Sequence, residues 1–163
     1  SICLCPLTER DLADGIGPAM ALASAGTPLV LGSDNHTQID LFAEARAVEH
    51  HERLASRTRG HHDPDDLLRA ATSAGMRSLG WDAGRLEPGA LADFISVDLS
   101  SPRFAGFRPE RLAAHVVFAA TAADVADVVV GGQAIVVDRH HVGLGNVAAL
   151  LGSAIESLSS AVA

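Results

Sequence analysis

The sequence predicts an α/β fold up to about residue 84 and a mainly β region after it. Three observations carry this reading. The apolar run Leu29-Val30-Leu31-Gly32 ends in Ser33-Asp34-Asn35-His36, a carboxylate delivered at the tip of a short buried strand. Parallel α/β barrels present a metal ligand or proton carrier in this way. A second β-type run, Ile2 to Cys5, precedes it, with a short Ala-rich helical stretch between the two. Strand, helix and strand within some thirty residues make a βαβ unit, hence parallel strands with a right-handed crossover. From Gly84 the chain turns rich in glycine and β-type runs. A complete eight-fold barrel takes about 250 residues, so a chain of 163 residues is expected to be a piece of a larger barrel.

Each element follows in order. Ile2 to Cys5 reads as the end of a buried strand, entered in mid-element and stopped by Pro6. Residues 6–17 read as a loop over the active face, and Pro18 to Ala25 as a helix closed by Gly26. From Asp40 the pattern is helical, with Leu41, Ala45 and Val48 on one face and the pair Glu49 and Arg53 on the wet side. Asp63 can cap a second helix, Pro64 suits its first position, and Asp65 and Asp66 favour the positive end of its dipole. Gly75 is expected to end or kink it. Phe94-Ile95-Ser96-Val97, Val116-Val117-Phe118, Val128-Val129-Val130 and Ala134-Ile135-Val136-Val137 read as strands. Gly131-Gly132-Gln133 joins the last two as a hairpin. A helix from Val147 to Leu158 closes the chain. The boundary near residue 84 divides a barrel part, 1–83, from a β part with the terminal helix, 84–163.

Composition narrows the functions. With a net charge of −8, there is no basic surface for neutralising phosphates, so nucleic acid is not an expected partner. No apolar run approaches a membrane span and no signal-peptide pattern opens the chain, so a soluble cytoplasmic protein is expected. All twelve basic residues are Arg. Without lysine there is no phosphate-loop Lys, no Schiff-base Lys and no Ser-x-x-Lys nucleophile. Ser33-Asp34-Asn35 therefore matches the motif of penicillin-recognising enzymes only by accident. Cys3 and Cys5 lie two apart on a strand and point to one face, where a reduced, buried pair is expected.

Asp34 is the leading candidate for chemistry. A carboxylate at a strand tip can hold a divalent metal and take a proton from water, or it can cap the helix that follows. His36, on the same loop, is a candidate substrate contact, with a hydrogen bond to backbone as its alternative. Glu9, with Asp11 and Asp14, lies in the segment expected to overhang the same face. The pairs His50-His51, His61-His62 and His140-His141 lack the spacing of metal ligands and read as surface, while His115 reads as structural.

At these positions the chain resembles a known family. The segment from Cys5 to Ile16 is similar to the Cys-Pro-x-Thr-Glu-x-x-Leu-x-Asp-Gly segment of formimidoylglutamate deiminases, within the amidohydrolase superfamily. Gly32 to His36, with Glu44-Ala45-Arg46 and Glu49 to Leu54, resembles that family's eighth strand and the helix behind it. Gly84 to Phe94 resembles the superfamily's entry into its small β domain. The resemblance implies the last two strand–helix units of a (βα)8 barrel followed by part of a β-sandwich. It implies zinc-dependent conversion of N-formimidoyl-L-glutamate to N-formyl-L-glutamate and ammonia, as in histidine degradation. Asp34 would then be both zinc ligand and proton carrier, with Glu9 and His36 at the substrate. The remaining ligands, including a His-x-His pair, would lie in an N-terminal portion outside this chain, and the complete enzyme would be a homodimer. Alone, the chain is expected neither to hold zinc tightly nor to turn over substrate. Asn35, Arg10 and Ala13 depart from the commoner family pattern. A related deaminase acting on guanine, cytosine or a triazine, and a non-catalytic structural module, are the alternatives.

Overall fold

A computed structural model describes residues 1–35 and 38–162. Two short strands, β1 (Ile2–Leu4) and β2 (Leu29–Leu31), lie parallel in the register Ile2↔Leu29, Cys3↔Val30 and Leu4↔Leu31. Between them run α1 (Pro6–Asp11) and α2 (Ala19–Ser24). The expected βαβ unit is present, but residues 6–11 are helical rather than loop. Pro6 sits at the first helical position and Glu9 Oε1 accepts the Cys5 N–H at 2.8 Å, so a proline start and a local carboxylate cap initiate the helix.

Helices α3 (Leu41–Ser56), α4 (Pro64–Ala71) and α5 (Ser73–Ser78) follow. Asp40 caps α3, its Oδ1 accepting the Ala43 N–H at 3.0 Å. Asp63 caps α4 through the Asp65 N–H at 2.8 Å, with Pro64 and two acids in the first turn as expected. The break after α4 falls at Thr72, not at Gly75, which lies inside α5. Gly84 shapes that region: at φ +79, a Cβ there would come within 2.8 Å of the Thr72 and Ser73 backbone.

The second sheet is an antiparallel meander of β3 (Phe94–Val97), β4 (Val125–Val130), β5 (Gln133–Val137) and β6 (His140–His141). Gly131 and Gly132, both at positive φ, form the tight β4–β5 turn. Between β3 and β4 stands α6 (Leu112–Ala119), where the Val116–Phe118 run had suggested a strand. Alanines flank that run, and helical spacing turns Val116 and Val117 inward, where both are buried. Arg46 donates to the Val117 and Ala120 carbonyls, satisfying acceptors that the end of a helix leaves open. His115 stacks edge-on against Phe107 at 5.6 Å.

Leu4, Ala19, Ala45, Val48, Leu67 and Val117 form the main core, and Phe104, Val116 and Ala120 a second cluster. Asp40 spans the two regions, its second oxygen accepting the Ala122 N–H at 3.0 Å. Glu49 corrects the expectation of a wet face: its side chain is fully buried and accepts from Arg53 Nε and from the backbone N–H groups of Gly60, His61 and His62. Four donors on one carboxylate replace its lost hydration, which is what makes that burial tolerable. The terminal helix α7 (Val147–Val162) extends beyond the expected Leu158 and leaves Leu150, Leu151, Ile155 and Leu158 more than half exposed. Among the described residues no helix is long and apolar enough to cross a membrane.

Candidate active site

Parallel pairing ends β1 and β2 at the same level, so Cys5-Pro6 and Gly32-Ser33 form one rim, joined by Gly32 N–H donating to Leu4 O at 3.2 Å. Asp34 stands on this rim in an exposed turn at φ +48, a left-handed conformation that Asp adopts more readily than most residues. Gly32, just past β2, lies against the sulfurs of Cys3 and Cys5.

Gly32 stands at a close approach. A Cβ there would come within 3.1 Å of Cys3 Sγ and 3.3 Å of Cys5 Sγ. The two sulfurs are 3.9 Å apart and both cysteines are free. The pair is therefore reduced, but it is not buried as expected: Cys3 is exposed and Cys5 half-buried, because they face away from the helix layer that supplies the core. Desolvation, the neighbouring Cys3 and the negative charges of Glu44 and Asp34 push the Cys5 thiol up to about 12. A thiol held that strongly protonated is not a nucleophile at neutral pH.

Two buried polar groups lie beneath the rim. Thr8, on α1 and 1% exposed, donates its hydroxyl proton to Ser33 O at 2.8 Å, with Asn35 Oδ1 at 3.1 Å. Glu44, in the first turn of α3, is fully buried, and its Oε2 accepts the Leu7 N–H at 3.0 Å. Its other oxygen has no hydrogen-bond partner among the described residues. Burial drives this carboxyl up to about 7; the Leu7 bond opposes the rise and the charge of Glu9 adds to it. Glu44 was legible in principle, since its spacing from Leu41 and Val48 sets it on the apolar stripe of α3.

The three sequence candidates fare differently. Asp34 occupies the rim. Glu9 reaches the same end of the sheet on α1, with one oxygen engaged by the Cys5 N–H. His36 lies outside the described residues. The histidine pairs form no metal cluster, and among the described residues no three His, Cys, Asp or Glu side chains are grouped to hold an ion. His61 Nε2 meets the Ser56 and Thr58 hydroxyls, and His141 Nδ1 accepts the Gly143 and Leu144 N–H groups. For a divalent cation the chain offers the rim carboxylate of Asp34, a hard oxygen donor that fits zinc as one ligand of a larger set. A groove of about 540 Å³ lies at the opposite end of β2, lined by Gly26, Pro28, Leu29, His62 and Asp66, and does not include Asp34.

The model of the amidohydrolase family matches residues 1–135. A 5-methylthioadenosine/S-adenosylhomocysteine deaminase of Natronomonas pharaonis is 36% identical over 138 residues, 83% of this chain and 32% of that protein. A formimidoylglutamate deiminase of Pseudomonas aeruginosa is 35% identical over 147 residues, 86% of this chain and 32% of that one. The chain thus spans about a third of the length of these relatives. The solved structure of an adenosine deaminase from Xanthomonas campestris with bound zinc superimposes with a TM-score of 0.84 at 30% identity, over 94% of this chain and 36% of that chain. This match bears out the expected α/β class.

Proposed function

The chain belongs to the amidohydrolase family, and from that premise we propose that it forms the C-terminal third of a metal-dependent hydrolase that releases ammonia from a C–N bond. The substrate is N-formimidoyl-L-glutamate: water replaces the imino nitrogen, giving N-formyl-L-glutamate and ammonia. One observation carries the reading. Asp34 stands exposed at the tip of β2, on the rim of the parallel pair, where a carboxylate can face a bound cation. The substrate assignment is supported by the Cys5-Pro6-Leu7-Thr8-Glu9 segment and by the 35% identity to the Pseudomonas deiminase.

Zinc, when bound, supplies a Lewis acid that polarises the C=N bond and acidifies water. Asp34 would hold it through carboxylate oxygen, and its carboxylate would take a proton from water and pass it to the departing nitrogen. Glu9 and His36 contact substrate, and exposed Arg10 offers α1's cation to a dicarboxylate. The other metal ligands come from the N-terminal portion of the protein, and the complete enzyme is a cytoplasmic homodimer. Residues 1–83 complete the barrel and 84–163 belong to the β domain. A second reading, deamination of 5-methylthioadenosine or S-adenosylhomocysteine, is favoured by the 36% identity to the Natronomonas protein.

The test is ammonia release by the full-length, zinc-loaded protein from each substrate in turn. Formimidoylglutamate should be turned over and Asp34→Asn should lower kcat by at least about a thousandfold, as losing a proton carrier and ligand together would. Turnover of 5-methylthioadenosine alone moves the substrate to the second reading. An Asp34→Asn protein as active as its parent removes the basis of both.

A further inference from the structure

We propose that Thr8 is a positioning residue for Asp34: its buried hydroxyl donates to Ser33 O, with Asn35 Oδ1 sharing that single proton, and so holds the turn that sets the direction of the carboxylate. The proposal rests on the reading of Asp34 as the metal-holding proton carrier. Its geometry is independent of which substrate is used.

The hydroxyl lies 2.8 Å from Ser33 O and 3.1 Å from Asn35 Oδ1, one residue to either side of Asp34. Between these two contacts the backbone turns through φ +48 at Asp34. A non-glycine residue in that region is held there by its surroundings, at a cost of order 1 kcal/mol. Thr8 is 1% exposed, so water cannot replace its hydroxyl if it is lost. Asp34 itself is exposed, and the contacts of its flanking residues hold the backbone from which its side chain projects.

The clamp is itself anchored. Thr8 lies in the first turn of α1, where the adjacent Leu7 N–H is held by the fully buried Glu44 of α3 at 3.0 Å. Thr8 O accepts the Leu12 N–H at 2.9 Å, closing the helix behind it. The line Glu44, Leu7, Thr8, Ser33 thus runs from the long helix to the rim through hydrogen bonds made by buried groups. A carboxylate that must both hold an ion and carry a proton needs a fixed direction, and groups that orient a ligand typically change affinity or rate by 10- to 100-fold when removed. The alternative role for Thr8, packing alone, would depend on its methyl group and volume.

Thr8→Val removes the hydroxyl at constant shape, whereas Thr8→Ser keeps it and removes the methyl. In the full-length zinc enzyme, Thr8→Val should lower kcat at least about tenfold with KM changed less than about threefold, and should release zinc to a chelator at least about tenfold faster. Thr8→Ser should restore both readouts to within about threefold of the parent. Should Thr8→Val not fold, Thr8→Ala serves as the hydroxyl-free variant with the same expectations. Thr8→Val with parental kcat and zinc release overturns the proposal, as does Thr8→Ser failing equally with it. Asp34→Asn is run beside them. If it retains activity, the reading of Asp34 falls and the proposal with it. If it is inactive while Thr8→Val is normal, only the clamp is refuted.

Discussion

Replacing Glu44 by Gln separates the charge of this buried carboxyl from its hydrogen bond. Glu44 is fully enclosed and gives one oxygen to the Leu7 N–H, while the other has no partner among the described residues. Burial, the largest cause, lifts it from 4.5 to about 7 against the pull of the Leu7 bond, with the charge of Glu9 adding to the rise. At about 1.4 kcal/mol per pH unit, this amounts to about 3 kcal/mol. The sign follows from which state ionises first. The unfolded carboxyl loses its proton near 4.5 while the folded one keeps it to about 7, so the native state binds the extra proton between them. Stability from this group is complete below 4.5, declines as pH rises, and is gone above about 7. Gln keeps an acceptor for the Leu7 N–H and never ionises. Urea unfolding at pH 4.5 and pH 8 should therefore show Glu44→Gln near its parent at the lower pH and about 2–3 kcal/mol more stable at the higher. With a denaturant slope of about 2 kcal/mol/M the midpoint moves by about 1–1.5 M. Taking the difference between the two proteins cancels the other titrating groups. An equal effect at both pH values, or destabilisation at pH 8, would refute the reasoning.

Other perturbations test the frame around the site. Glu49→Ala leaves three backbone donors of residues 60–62 and Arg53 without their common acceptor, and should cost about 3–5 kcal/mol in urea unfolding while opening Arg57 and Arg59 to trypsin. Burial works to raise the Glu49 carboxyl, but the Arg53 bond and the Gly60 and His62 N–H groups outweigh it and keep the group ionised; a loss under about 1 kcal/mol would show those bonds to be dispensable. Gly84→Ala meets both positive φ and a 2.8 Å backbone clash, whereas Gly89→Ala meets positive φ alone with open space around its Cβ. The former should lower the unfolding free energy by well over about 2 kcal/mol and the latter by about 1, and equal losses would show that the clash relaxes.

The elements legible in the sequence are those whose signals are local. Asp63 caps α4 as its position ahead of a helical pattern predicted, the helix expected from Asp40 begins at Leu41, and Gly131-Gly132 makes the hairpin its spacing implied. The rim position of Asp34 followed from an apolar run ending in a carboxylate, a pattern complete within six residues. What was misread depends on contacts distant in sequence. Val116–Phe118 has strand composition, yet it is helical because it packs on α3 and Arg46 takes its terminal carbonyls from 71 and 74 residues away. Glu49 reads as half of a wet i,i+4 pair, and the pair with Arg53 does form at 2.7 Å, but donors 11 to 13 residues on pull the carboxylate under the surface. The cysteine pair shows the reverse error: alternation gave its common face correctly, while burial depended on what covers that face.

Charge and burial are divided unusually at the rim. The group proposed to carry the chemistry, Asp34, is exposed, while the polar groups that touch its loop and the neighbouring helix, Thr8 and Glu44, are nearly or wholly enclosed. A buried hydroxyl or carboxyl is costly unless its bonds are made, and here those bonds are spent on backbone: Ser33 O in one case, Leu7 N in the other. Neither side chain adds to the apolar core, and a buried Glu with one oxygen unpartnered among the described residues is a poor choice for stability at neutral pH. What the two provide together is direction. Thr8 ties α1, which follows β1, to the turn that follows β2, and Glu44 ties the same α1 to α3, so the tip of one strand is held by the segment leaving the other. The Cys5-to-Glu9 segment therefore bears on Asp34 mechanically as well as by lying beside it. Substitutions in that segment that preserve fold and net charge should still alter proton transfer at the neighbouring strand, most of all where they remove the hydroxyl at position 8.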